Sequence, residues 1–139
     1  MLLLAAVLAG ATGCASSPDS SSSWRSDAGQ IAHDVAGQLA ITRVAMQARE
    51  QDRLPTAYAT MTTTNAQDSG LSSIDDFADL YPPPELFDMH DEIAALLREA
   101  GDLLVRSRIA MAGDGDPATL IEQTADLQKQ LLDEERKLQ

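Results

Sequence analysis

The stretch PELFDMHDEIAALLREAGDLLVRSRIAM, residues 84–111, decides the fold of this chain. Two series of residues in it repeat every seven positions, and interleaved they alternate steps of four and three. The first series is Leu86, Ile93, Ala100 and Ser107, and the second is His90, Leu97, Leu104 and Met111. Because residues at this spacing share one side of an α-helix, the pattern predicts a helix that packs against other helices.

A third series of residues widens this apolar stripe. It consists of Met89, Leu96, Leu103 and Ala110, and it brings the stripe to about three positions in seven. That width is typical of a globular helical bundle, whereas a two-stranded coiled coil uses a narrower stripe. The charged residues lie mostly on the opposite side, so the predicted helix needs neighbouring helices to cover its apolar side.

Prolines delimit two predicted helices before this stretch. The first spans about 26–53, because the residue before Pro55 is pushed out of helical geometry while proline suits a first helical turn. Its apolar line is Ile31, Val35, Leu39 and Met46, widened by Ile41, Val44 and Ala48, with Arg43, Arg49, Glu50 and Asp52 assigned to solvent. The second helix spans 55–81, either whole or broken near Gly70. The apolar positions stay in phase across Gly70, which favours one helix.

A glycine and an aspartate delimit the last predicted helix. Gly113 is expected to stop the third helix in a left-handed conformation. Asp116 is expected to cap the fourth helix, with Pro117 as its first residue. The apolar line of this helix is Leu120, Thr124, Leu127, Leu131 and Leu138; it skips Glu134, which with Glu135, Arg136 and Lys137 is expected to be solvated. Four helices joined by short connections predict an all-α fold, an antiparallel up-down-up-down four-helix bundle over residues 25–139.

Charge and cysteine content exclude several functions. The 139 residues carry a formal net charge of −12, which argues against binding of nucleic acid or of anionic lipid through a basic surface. Cys14 is the single cysteine, so no disulfide forms within the chain and no cysteine-based metal site is predicted.

The residues before Cys14 predict an export signal. Met1–Ala9 is an apolar run too short to span a bilayer, and small residues follow it. Ala11-Thr12-Gly13-Cys14 resembles the lipobox of bacterial lipoproteins. The resemblance implies that a signal peptidase recognises Ala11, Thr12 and Gly13, removes residues 1–13 as a signal peptide and leaves Cys14 acylated in the bilayer. No Lys or Arg precedes the apolar run, so we expect the start codon to lie upstream of Met1.

The segment after Cys14 is expected to be a tether. Residues 14–24 include the small, polar run Ala15–Ser23, which predicts a flexible linker that holds the domain off the membrane. Trp24 has two interpretations, a residue at the lipid interface or a cap on the end of the bundle, and the cap is favoured. The lipobox, this tether, the prolines before the third helix and the Gly-Asp turn before the fourth resemble small helical-bundle lipoproteins of high-GC Gram-positive bacteria.

His90 is the polar residue that best fits a ligand-binding role. It lies on the apolar stripe, so it is a candidate metal or haem ligand inside the bundle, with His33, Met46 or Met61 as a second ligand. The alternative is a histidine at the edge of the core that is hydrogen-bonded to a neighbour such as Tyr81. The chain has no Glu-x-x-His pair and no Cys-x-x-Cys-His motif, so no metal and no cofactor are assigned.

The remaining motifs do not indicate catalysis. Asp114-Gly115-Asp116 lacks the further ligands of a calcium loop and is expected to be a turn. The hydroxyl run Thr60–Thr64 has no neighbouring base, so no catalytic residue is predicted. We therefore expect a non-enzymatic interaction or scaffold module, lipid-anchored on the extracytoplasmic side of the cell membrane. The sequence does not identify its protein partner, but an exposed apolar patch would mark where one binds. A metal- or haem-binding lipoprotein using His90 is the alternative.

Overall fold

The computed structural model describes residues 20–113 and 115–139, which form four helices packed against one another. The helices are α1 (Ser20–Glu50), α2 (Thr56–Ala78), α3 (Phe87–Ala112) and α4 (Ala118–Leu138). A 3-10 turn at Pro84–Leu86 leads into α3, and the described residues contain no strand. The predicted all-α class and the four helices are confirmed. Helix α1 packs most extensively on α4 and then on α2, and α3 lies against α2, α4 and α1.

Helix α1 begins six residues earlier than predicted, at Ser20 instead of residue 26. Residues 20–24, assigned to the tether, are therefore the first residues of this helix. The reason is tertiary contact, which overrides the modest helix propensity of serine. The hydroxyl of Ser21 donates a hydrogen bond of 2.5 Å to the carboxylate of Glu85. Trp24 is only 4% exposed and belongs to the main core cluster, so it packs within the bundle.

The end of α1 is a tight turn closed by backbone hydrogen bonds. Asp52 has a φ of 52°, the left-handed conformation that usually falls to glycine at helix ends. The N–H of Arg53 donates to the carbonyl of Ala48 at 2.8 Å, and the N–H of Asp52 donates to Arg49 at 3.0 Å. This pair of bonds is a Schellman motif, and it ends α1 at Glu50, three residues earlier than predicted.

Two glycines behave differently from each other. Helix α2 continues through Gly70, as the phase of its apolar residues predicts. A Cβ built on Gly70 would lie 2.5 Å from Cδ1 of Leu104, so the glycine lets α2 and α3 approach closely. Gly113 has φ −122° and ψ −162°, which is extended backbone, so the predicted left-handed stop is wrong. The carbonyls at the end of α3 accept hydrogen bonds from Arg49 and Thr60 in place of the backbone bonds of a left-handed stop.

The core is divided into two clusters. Most of the predicted stripe of α3 is buried, and its partly exposed members are Met89, His90, Leu96 and Ala110. Most of the stripe belongs to the larger cluster with Trp24, Phe77 and residues of α1 and α4. The smaller cluster contains Met46, Ala59 and Met111. Each helix also contributes one fully buried hydroxyl residue near the smaller cluster; these are Thr42, Thr63, Ser107 and Thr124.

Helix α4 buries a carboxylate that was expected to be solvated. Glu134 is 9% exposed, because it continues the inward spacing between Leu131 and Leu138. Its Oε1 accepts a hydrogen bond of 2.5 Å from Nζ of Lys137, so a positive charge compensates the carboxylate. Asp116 caps α4 as predicted, since its Oδ1 accepts from the N–H of Ala118 at 2.9 Å. Among the helices described, none combines the length and apolar character that crossing a bilayer requires.

Candidate interaction surface

An apolar groove lies where the outward side of α1 meets the start of α2. Its volume is about 440 Å³. It is lined by Ala40, Ile41, Val44, Ala45, Ala48, Leu54 and Thr62. The two largest α1 side chains in it are solvent-accessible, Val44 being 58% and Ile41 45% exposed. We call this feature the α1–α2 groove.

The groove contradicts one prediction from the sequence. Ile41, Val44 and Ala48 were expected to widen the buried stripe of α1. From Ile41 to the end of the helix, the buried residues are Thr42, Ala45 and Met46. Ile41 and Val44 are rotated away from that side, because successive residues of a helix turn by about 100°. The three neighbouring helices cover the inward side of α1 and leave these apolar residues outside.

The outward residues of α1 have the spacing of a packing surface. Gly37, Ile41, Val44 and Ala48 follow one another in steps of four, three and four, the same alternation that predicted α3. Gly37 is exposed, and a Cβ built on it would meet nothing within 4 Å. Small residues therefore lie at both ends of this row, and the larger Ile41 and Val44 lie between them.

Arg49 fixes the groove to the end of α3. Its Nη1 donates to the carbonyls of Ala110 at 3.0 Å and Met111 at 3.2 Å, and its Nη2 donates to Gly113 at 2.9 Å. Thr60 of α2 donates to the same Met111 carbonyl at 3.0 Å. These bonds satisfy carbonyls that the end of a helix leaves without partners. Arg49 was predicted to be a solvent residue, and that prediction is wrong.

Other exposed apolar side chains extend the surface or stand alone. Tyr58 is exposed and lies one turn before Thr62 on α2, so it continues the groove along that helix. Ile109 of α3 is 58% exposed, the same fraction as Val44, but it does not line the groove. The pair Val44 and Ile109 therefore matches in exposure and differs in surroundings.

His90 lies in an aromatic cluster. Its ring stacks on Phe77 with centroids 5.1 Å apart and an interplanar angle of 15°, and the Trp24 ring is 6.3 Å away. Nδ1 of His90 is 3.1 Å from Oδ1 of Asp91. The partner is thus Asp91 and not Tyr81, whose side chain is 92% exposed. The ring is held as an edge residue of the core.

The proposed second ligands lie elsewhere. Nδ1 of His33 is 3.2 Å from Oε2 of Glu135 on α4, Met46 belongs to the smaller core cluster and Met61 is exposed. Within residues 20–113 and 115–139, no three His, Cys, Asp or Glu side chains are grouped in a way that could hold a metal ion. Metal or haem binding through His90 stays a prediction.

The hydroxyl run of α2 is occupied by backbone contacts. Thr63 donates to the carbonyl of Ala59 at 3.0 Å, and Thr64 donates to Thr60 at 2.8 Å. Ala11, Thr12, Gly13 and Cys14 lie outside the described residues, as does Asp114.

Among the described residues, two ionisable groups, Glu85 and Lys137, have shifted pKa values, and neither lines the groove. The hydrogen bond from Ser21 lowers the pKa of Glu85, with smaller contributions from a backbone N–H and from Arg25. The hydrogen bond to Glu134 raises the pKa of Lys137.

No protein-family model, no curated protein and no solved structure matches this chain. What the molecule does is therefore argued from its surface.

Proposed function

We propose that this protein is a membrane-anchored, extracytoplasmic lipoprotein whose bundle acts as a non-enzymatic interaction module. One observation carries the proposal: the α1–α2 groove exposes Ile41 and Val44 on a protein with a net charge of −12. Isolated apolar residues are common on protein surfaces, whereas apolar residues grouped in a groove support a binding site for a partner.

The anchor is supported by the sequence around Cys14. A thioether-linked diacylglyceryl group on Cys14 supplies two acyl chains, and two chains hold a protein stably on a bilayer where one does not. The polar residues between Cys14 and Ser20 would then separate the bundle from the lipid. The signal peptide 1–13 directs the chain across the membrane in this proposal.

The antiparallel up-down-up-down arrangement is part of the proposal. It is supported by contacts of Ser21 with Glu85 and of Arg49 with Gly113. In this arrangement the anchor and the groove lie toward opposite ends of α1. Ile41 follows Ser20 by 21 residues (41 − 20), which corresponds to about 30 Å of helix. The groove is thus held away from the lipid, where a protein partner reaches it.

The test is site-specific photo-crosslinking in intact cells that produce the full chain. A photoreactive amino acid replaces Val44 in one strain and Ile109 in another, since both positions are 58% exposed. We expect one discrete adduct from position 44 and none from position 109. Equal labelling from the two positions would overturn the interaction module.

The anchor is tested in the same strains with Cys14→Ala. We expect the protein to leave the membrane fraction and the position-44 adduct to be lost or strongly reduced. A Cys14→Ala protein that stays in the membrane fraction would contradict lipid anchoring through this cysteine, and it would leave the groove adduct as a separate result.

A further inference from the structure

We infer that the α1–α2 groove receives a single cationic amphipathic helix from a partner protein. This inference rests on the proposed function, and it specifies the chemistry of the partner at the same surface. Three features carry it: the spacing of the outward α1 residues, the space above Gly37, and the charge of the domain.

The spacing indicates a helical occupant. Gly37, Ile41, Val44 and Ala48 repeat the alternation of four and three that helices use when they pack along each other. The second side of the groove comes from Leu54 and Thr62, so an occupant lies between two elements instead of on a flat face. An amphipathic helix fits this shape when its residues at i, i+3 or i+4, and i+7 point into the groove.

Gly37 is a glycine inside a helix that packing within the bundle does not require. A glycine inside a helix costs up to about 1 kcal/mol relative to alanine. At Gly70 and Gly101 a Cβ would lie 2.5 and 3.3 Å from a neighbouring side chain, so close packing within the bundle accounts for these two glycines, whereas the 3.8 Å at Gly29 is ordinary van der Waals contact. At Gly37 a Cβ would meet nothing within 4 Å. The close approach of a second helix backbone would use this space.

The small size of the surface and the charge of the chain argue against a stable dimer of two copies of the chain. The row from Gly37 to Ala48 spans about 17 Å of helix, and with a helix diameter of about 10 Å it offers roughly 200 Å². A stable interface between two folded proteins buries about 800 Å² on each partner. Two rigid copies meeting along this row would bury too little, and each carries a net charge of −12 that repels the other.

Charge selects a cationic helix. The chain attracts positive charge at long range, because its net charge is −12. Asp34 is exposed and lies three residues before Gly37, so a helix that extends past the groove in that direction meets a carboxylate. At the other end of the row Glu50 and Asp52 are exposed beside the exposed Arg53, and Arg49 is occupied by the carbonyls of α3.

The experiment uses defined peptides and the full chain carrying Cys14→Ala, which receives no lipid. The probes are a Leu/Lys peptide of about 18 residues with leucine at heptad spacing, its Leu/Glu counterpart and a scrambled Leu/Lys peptide. Binding is measured by isothermal titration calorimetry and located by amide shifts in ¹⁵N-labelled protein. We expect the patterned Leu/Lys peptide to bind at least about tenfold more tightly than either control. The shifts should be confined to residues 37–48 and 54–62.

Matched variants separate groove binding from general attraction. Val44→Ser is expected to weaken binding of the patterned peptide about tenfold, and Ile109→Ser, which removes a side chain of equal exposure, is expected to leave it unchanged. Gly37→Gln should weaken binding by a similar factor while raising the melting temperature, since a longer side chain fills the space but favours the helix. Loss of binding caused by misfolding would lower that temperature instead.

Four results would overturn the inference. Equal affinity for the scrambled peptide would show that the spacing of leucines does not matter for binding. Equal affinity for the Leu/Glu peptide would show that positive charge on the peptide does not matter. A dimer in sedimentation velocity that Val44→Ser dissociates would assign the groove to a second copy. If a partner is crosslinked at position 44 in cells while no peptide binds, the interaction module stands and the helical occupant is wrong.

Discussion

The two ends of the bundle treat apolar residues in opposite ways. At one end, Trp24 follows a run of serines and is nevertheless 4% exposed, in contact with the rings of Phe77 and His90. At the other end, Ile41 and Val44 belong to a strongly apolar stretch, and about half of each is exposed to solvent. The hydrophobicity of a stretch therefore does not decide whether it is buried. Its burial depends on how many neighbouring helices pack against it.

The core clusters account for this difference. At the aromatic end, residues of all four helices join the larger cluster, and Leu80 and Leu86 of the α2–α3 connection pack there too. At the groove end the smaller cluster has only Met46, Ala59 and Met111 as fully buried members. The four buried hydroxyl residues near the smaller cluster occupy positions where the larger cluster has mostly apolar side chains. Hydrogen bonds from Arg49 to the carbonyls of α3 help to close the groove end.

The largest effect is expected at the aromatic end. Trp24→Ala should lower the free energy of unfolding by about 3–5 kcal/mol, because it removes a large buried side chain and leaves a cavity. Urea denaturation at low temperature measures the loss. Tyr81→Ala is the control, since this ring is 92% exposed and its removal should change stability by less than about 0.5 kcal/mol. Similar losses in the two variants would show that Trp24 does not belong to the core.

The next effect is expected at the groove end. Arg49→Met keeps much of the side-chain volume but removes the hydrogen bonds to the carbonyls of α3. We expect a loss of about 1.5–3 kcal/mol, the range for hydrogen bonds to a charged group. Arg53→Met removes an exposed arginine four residues later and should be nearly neutral. If hydrogen exchange at the end of α3 is equally fast in both variants, Arg49 does not hold the groove end together.

A smaller effect of opposite sign is expected inside the groove end. The hydroxyl of Thr42 is buried and has no hydrogen-bond partner among the described residues, whereas Thr63 donates to the carbonyl of Ala59. Replacing an unpaired buried hydroxyl by a methyl group removes a desolvation penalty, so Thr42→Val should stabilise the protein by about 1 kcal/mol. Thr63→Val should be neutral or destabilising by up to about 1.5 kcal/mol. Melting curves of the two variants that shift in the same direction would contradict this assignment of the hydroxyl groups.

Periodicity predicted what depends on a single helix. The stripe of α3 and the continuity of α2 at Gly70 could be read from spacing, because residues that share a helix face share an environment. The residue types Asp116 and Pro117 also predicted the cap of α4, since capping is a local interaction.

The failures concern contacts between elements. Arg49 bonds to residues about 60 positions later in the chain, so no local pattern identifies it. Val44 was assigned to the core because periodicity cannot tell which apolar face meets a neighbour and which meets solvent. The sequence therefore did not indicate where the groove lies, although an exposed apolar patch was predicted as the binding surface for a partner. The row from Gly37 to Ala48 was the sequence signal for the groove. A helix with two apolar faces is expected to pack one face in the bundle and to offer the other face to another molecule.

The smallest effect tests where the aromatic end begins. Ser21 lowers the pKa of Glu85 through its hydrogen bond, so the folded-state pKa lies below the unfolded value. The stabilisation this gives is complete above the unfolded pKa and is lost as pH falls through the folded pKa. Ser21→Ala should raise the pKa of Glu85 toward its ordinary value and flatten the acid limb of the stability curve. The effect on stability should be slight, because both groups are exposed to solvent.

Carboxyl ¹³C shifts across a pH titration report Glu85 directly, and Ser23→Ala serves as the control from the same turn of α1. An unchanged Glu85 titration in Ser21→Ala would mean that this hydrogen bond does not persist in solution. Helix α1 would then begin after Ser21, closer to the predicted residue 26, and the polar segment after Cys14 would be longer. A raised pKa would place Ser21 in the folded domain, because only an ordered first turn holds its hydroxyl against the start of the 3-10 turn at Pro84–Leu86.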